Sequence, residues 1–147
     1  MTRATLLMAV LALLVMPAAS ADPVKGAWAF RTDIEDKGCV ITGRMNVTPT
    51  GADGLFDCAF VSSETCDYMP DREVSMEQLC RIVKQDDRYV IRSVVSGTRS
   101  EGYDPRNYNP DHFVVEPDGP GRMAGVWWDV NFEAPVAFWR DDDLPIS

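Results

Sequence analysis

The sequence predicts an all-β fold of about eight antiparallel strands, closed into an up-and-down barrel and stapled by disulfides. Three observations carry that expectation. Eight short segments with β-type alternation or β-branched enrichment follow one another between residues 26 and 140. The connections are mostly tight and rich in Gly, Pro, Asn and Asp, with no crossover long enough for a parallel pairing. Four cysteines, Cys39, Cys58, Cys66 and Cys80, follow a segment that reads as an export signal. Closure of the sheet would also remove the open edges that invite aggregation.

The export signal is residues 1–21. Arg3 gives the positive start, Leu6 to Met16 form an apolar run of eleven residues, and Ala19-Ser20-Ala21 offers a small-residue cleavage site. The run is shorter than the roughly 20 residues a membrane span needs. The expected mature chain therefore starts at Asp22, is periplasmic or secreted, and has no membrane insertion. The 126 residues left from 147 suit one domain of residues 22–147.

After the polar lead Asp22 to Lys25, Gly26 to Thr32 alternates Trp28 and Phe30 with smaller residues, a first strand. Asp33 to Gly38 reads as a charged turn. Cys39 to Val47 is a second strand, with Cys39, Ile41, Met45 and Val47 on one side. Pro49 to Gly54 supplies turn chemistry, and Leu55 to Val61 is a third strand, apolar on both faces apart from Asp57. Ser62 to Arg72 reads as a polar connection held by Cys66.

Glu73 to Val83 fits two templates. Val74, Met76, Cys80 and Ile82 alternate as in a strand, with Gln78 the exception, while Met76, Leu79, Cys80 and Val83 fit a helical stripe. Strand is preferred because its neighbours are strands. Arg88 to Ser96 is rich in β-branched residues and reads as a strand. Gly97 to Asp111 is an irregular loop that Tyr103 and Tyr108 are expected to pin. His112 to Glu116, Met123 to Val130 and Pro135 to Arg140 complete the strands, and Asp141 to Ser147 is an acidic tail.

The cysteine spacings match no zinc pattern and include no CxxC, so disulfides are expected. A turn centred on Ala52-Asp53 puts Cys39 opposite Cys66, and a second near Met69-Pro70 puts Cys58 opposite Cys80. The pairs Cys39–Cys66 and Cys58–Cys80 are thus preferred, with Cys39–Cys58 plus Cys66–Cys80 the alternative.

The chain carries 23 acidic and 14 basic residues. So negative a surface repels phosphate backbones and anionic lipid heads, which argues against nucleic-acid and membrane-surface roles. His112 is the only histidine, which excludes any mechanism needing two imidazoles. No nucleophile elbow, phosphate-cradling loop or dinucleotide fingerprint is present, and no cofactor is expected. Asp104, Asn107, Asn109 and Asp111 offer hard oxygens, as calcium would want, but their spacing fails the EF-hand rule.

Gly26-Ala27-Trp28 on the first strand resembles the G-x-W opening of lipocalins and related calycins. Arg140, after Phe138-Trp139, resembles the arginine that packs over that tryptophan in the superfamily. The resemblance implies a lipocalin-like barrel that binds a small apolar ligand. A second resemblance, on the same Gly-x-Trp strand, is to small secreted bacterial metalloprotease inhibitors, which implies a protein partner.

The aromatic inventory is the one suggestive constellation. In an eight-stranded barrel, inward side chains either fill the interior or line a ligand cavity. Trp28, Phe30, Trp127 and Phe138 are the candidate ligand-binding residues, acting by apolar burial. Trp127 and Trp128 are adjacent, so one faces outward or lies under a loop, and an outward one beside Trp139 would mark a contact surface. The expected function is non-enzymatic binding of a small apolar ligand in or at the mouth of the barrel. One alternative is protease inhibition or another protein partnership, through Asp22 to Lys25 or the Gly97 to Asp111 loop. Another is a hydrolase built on a carboxylate pair.

Overall fold

Inward burial alternating with outward exposure runs along the strands of the computed structural model, which describes residues 23–141. The export signal and most of the acidic tail lie outside the described residues. Strands β1 (Gly26–Ile34), β2 (Cys39–Pro49), β3 (Leu55–Cys66), β4 (Met69–Gln85), β5 (Arg88–Thr98), β6 (His112–Pro117), β7 (Arg122–Trp128) and β8 (Glu133–Arg140) pair in chain order. β8 returns to β1 and closes the barrel, every pairing being antiparallel. Only two 3-10 turns, Glu35–Lys37 and Pro105–Asn107, interrupt the strands among the described residues.

The register follows from the first hairpin. Cys39 faces Cys66, Met45 faces Phe60 and Val47 faces Cys58. Both preferred disulfides are present: Cys39–Cys66 with Cα atoms 4.1 Å apart, and Cys58–Cys80 with Cα atoms 4.8 Å apart. All four cysteines are paired, which points to an oxidising environment. Among the described residues, no helix is long and apolar enough to cross a membrane.

Two expectations need correction around Cys66. Ser62 to Arg72 is not a polar connection: β3 runs on to Cys66, and β4 starts at Met69. Its inward residues there, Ser62 and Glu64, are polar yet buried, which disguised the strand. The turn is also earlier than Met69-Pro70. Cys66 pairs with Met69 and Thr65 with Glu73, so residues 70–72 form a bulge. The bulge adds residues to one strand only, and Cys58 still meets Cys80. Glu73 to Val83 is strand, not helix, and Gln78 points inward with its apolar neighbours.

The barrel interior is full. Phe30 touches Phe60, Phe113 and Phe138 at ring-centroid distances of 5.6, 5.0 and 5.1 Å. Phe113 lies 5.7 Å from Phe60 and 5.3 Å from Phe138, mostly edge-on, the geometry aromatic quadrupoles favour. Each of the four is at most 3% exposed. Gly43 makes room for this cluster. It pairs with Phe30 across β1 and β2, and a Cβ there would stand 2.3 Å from the Phe30 ring.

One end of the barrel is closed. Trp28 lies there with its indole Nε1 donating to the Val24 carbonyl at 2.8 Å, and the Arg140 guanidinium sits 4.0 Å over its ring. Arg140 also donates to the carbonyls of Pro23 and Lys25. Gly26 is required beside it: its φ is +112°, and a Cβ would meet the guanidinium. Val24 is fully buried, so this part of the polar lead is a plug rather than a projecting arm.

Gly43→Ala is expected to lower unfolding free energy by about 1–3 kcal/mol, because the methyl must displace a locked ring. Urea denaturation checks this. An unchanged midpoint would show that the phenylalanine cluster yields easily.

Candidate functional site: a polar mouth over an aromatic floor

The opposite end gathers the β1–β2, β3–β4, β5–β6 and β7–β8 connections. There the inward positions change from apolar to polar. Ser62 on β3, Gln78 on β4, Trp127 on β7 and Asp111 just before β6 are each at most 1% exposed.

Asp111 organises them. Its Oδ1 accepts from the Trp127 indole N–H at 2.8 Å. Its Oδ2 accepts from Gln78 Nε2 at 2.6 Å, Ser62 Oγ at 3.0 Å and the Tyr108 hydroxyl at 3.2 Å. Its backbone N–H donates back to Gln78 Oε1 at 2.9 Å. One carboxylate thus ties the end of the long loop to three strands. Burial pushes its pKa up to about 6, against the Trp127, Gln78 and Ser62 donors, which favour the charged form. Burial likewise holds the Tyr108 hydroxyl well above its ordinary range, so it remains a donor.

Above this network lies a cavity of about 220 Å³. Tyr68, Met69, Arg72 and Val74 wall it on the β3–β4 side, Tyr103, Asn107, Tyr108 and Asn109 on the loop side, and Lys37, Glu64, Trp127 and Asp129 elsewhere. Lys37 Nζ is 2.5 Å from Glu64 Oε1. Partial burial, the largest single effect, lowers the Lys37 pKa, but the hydrogen bond and charge of Glu64 with the nearby Tyr68 and Asp129 together outweigh it and the net direction is up. Arg72 rests 5.6 Å from the centre of the Tyr103 ring. Asp129 Oδ1 accepts from the backbone N–H groups of Asn131 and Phe132, both at 2.7 Å. Cys39, Glu64 and Cys66 cluster here too, but both sulfurs are spent in the disulfide and offer no thiolate to a metal.

The four residues expected to bind a ligand do not form one site. Phe30 and Phe138 stack in the floor, Trp28 is under Arg140 at the closed end, and only Trp127 reaches the cavity. Trp128 faces outward but is not beside Trp139. It pairs with Glu133, whereas Trp139 pairs with Arg122, at the other end of the β7–β8 hairpin. Trp128 is instead covered by Arg92 at 5.1 Å and His112 at 5.5 Å. His112 Nδ1 accepts from the Ser93 backbone N–H at 3.1 Å, continuing a β5–β6 seam that has only three paired residues per strand. The calcium grouping does not assemble either. Asp104 binds Arg106 at the surface, while Asp111 is fully buried and saturated with donors.

Sequence reasoning missed the Asp111 network, although two signals were present. Gln78 broke the apolar alternation of its strand, and a buried Trp127 indole requires an acceptor.

No family model matches the sequence, and no curated protein matches it. Similar solved structures are designed barrels. A redesigned β-barrel, mFAP0, bound to DFHBI has a TM-score of 0.59 at 12% identity, covering 82% of this chain and 100% of that one. Its relative mFAP1, also bound to DFHBI, gives 0.55 at 13%, covering 80% and 94%. A fluorescence-activating β-barrel designed de novo gives 0.55 at 16%, covering 81% and 94%. The likeness shows the closed-barrel fold.

The raised Asp111 pKa has a signed consequence. The folded state holds this proton more tightly than the unfolded chain, so its contribution is greatest below about pH 4 and falls as pH rises to about 6. The stability difference between the wild type and Asp111→Asn should therefore shift against the wild type by up to about 3 kcal/mol between pH 4 and pH 7. Chemical denaturation across that range measures it, and a shift in the opposite direction would contradict the assignment.

Proposed function

We propose that this protein is an exported, periplasmic small-molecule-binding barrel that holds its ligand in the mouth cavity and not in the barrel interior. The observation that carries the reading is the polar and aromatic cavity of about 220 Å³, open on one side, above a floor already packed with phenylalanine. The expected apolar ligand gives way to a polar one, because the apolar interior has no room left. Barrels of this architecture are described as bound to DFHBI, so such a frame accommodates a small ligand. The apolar leader segment and the two disulfides support export. Trp28 beneath Arg140 supports kinship with calycins.

Binding is favoured over catalysis by the state of the two buried carboxylates. Asp111 is saturated by four donors and Glu64 is paired with Lys37, so neither is poised to move a proton to or from a substrate. Protein partnership through the polar lead has less support, since Val24 is buried and Arg140 holds the neighbouring carbonyls.

A fragment screen read by nitrogen–proton NMR tests this reading. Bound fragments should shift the Trp127 indole signal and the backbone of residues 103–109 while leaving Phe30 unmoved. Met69→Trp, which narrows the mouth, should abolish those shifts while the rest of the spectrum stays folded. Shifts confined to the outer face around Leu79 and Val94, which are 54% and 61% exposed, would overturn the proposal.

A further inference from the structure

Resting on the mouth-cavity reading, the ligand class follows from which cavity groups are already engaged. Lys37 and Glu64 neutralise each other at 2.5 Å. Asp129 accepts two backbone N–H groups with one oxygen, and Asp111 accepts four donors. Arg72 lies on the Tyr103 ring, with no carboxylate in ion-pair range among the described residues. The cavity wall thus carries both signs of charge interleaved, and an ion of either sign entering it would meet like charges.

Besides the Arg72 guanidinium on its ring, the cavity groups without hydrogen-bond partners are of another kind. The Asn107 and Asn109 side-chain amides and the Tyr103 hydroxyl make no hydrogen bond among the described residues, the Tyr68 hydroxyl has only the Cys39 sulfur at 4.0 Å, and Asn107 and Tyr68 stand at the exposed rim. All four are neutral, and each both donates and accepts. Their natural complement is a set of hydroxyl groups, which also do both. The tyrosine rings and the apolar part of the wall suit a ligand that has one C–H-rich face. A cavity of about 220 Å³ suits a small ligand, and one six-membered sugar ring with its hydroxyls is of that class.

We propose that the mouth cavity binds an uncharged, polyhydroxylated ring of monosaccharide size, held by Asn107, Asn109, Tyr68 and Tyr103. The open side of the cavity admits either a free sugar or the terminal unit of a longer saccharide.

The test uses the mature protein and reads binding by NMR at the Asn107 and Asn109 side-chain amides and the Trp127 indole. Glucose, galactose, mannose and N-acetylglucosamine are compared with glucuronate and glucosamine, which keep the ring but add one charge. At least one neutral sugar should bind about tenfold more tightly than both charged analogues. Maltotriose against glucose then separates a saccharide end from a free sugar, and preference for either supports the proposal. The double variant Asn107→Ala, Asn109→Ala should weaken the neutral sugar about tenfold, with an unchanged melting temperature showing that the fold survives. Equal or tighter binding of glucuronate or glucosamine overturns the proposal. If no sugar binds while other fragments occupy the cavity, the ligand class is wrong and the mouth reading stands. If nothing occupies the cavity, both fail.

Discussion

An eight-stranded closed barrel encloses a space narrow enough for side chains to fill or for one small ligand to occupy. In this protein the rings of Phe30, Phe60, Phe113 and Phe138 have taken that space. Gly43 surrenders its own side chain to let the Phe30 ring in. Everything else follows from that plug. The closed end needs only a cap, which Trp28 and Arg140 provide. On the proposed reading, ligand chemistry belongs to the other end, where the inward residues turn polar.

A polar layer inside a barrel is costly unless its hydrogen bonds are satisfied. Asp111 meets that condition by collecting donors from Trp127, Gln78, Ser62 and Tyr108. The same bonds fix the end of the long loop to β3, β4 and β7, so the loop side of the cavity is anchored to the frame. An anchored wall favours binding, since less ordering entropy is then lost when a ligand arrives. Lys37 and Glu64 hold the facing wall by an ion pair that is itself largely buried.

Much of the fold was legible because pairing arithmetic and period-2 alternation are local signals. The turn at Ala52-Asp53 fixed the partners of Cys39, Met45 and Val47. The upper half of β3 was not legible, because Ser62 and Glu64 occupy inward positions that alternation reserves for apolar residues. The slip at residues 70–72 hid the β3–β4 turn for a related reason: a bulge leaves no periodic trace. The candidate site was legible only in part. Trp127 could be named from composition, but Asp111 looked like a loop aspartate until the fold brought Gln78 and Ser62 to it. Trp28, Phe30 and Phe138 were visible as aromatics, yet their separation along the barrel depends on tertiary register.

The most direct test is a high-resolution crystal structure of the protein purified from its own host. Unassigned density between Tyr103, Asn109 and Trp127, with the phenylalanine rings still in edge-on contact, is the predicted result. Density lodged between Phe30 and Phe138, with those rings swung apart, would show that the interior and not the mouth is the binding chamber.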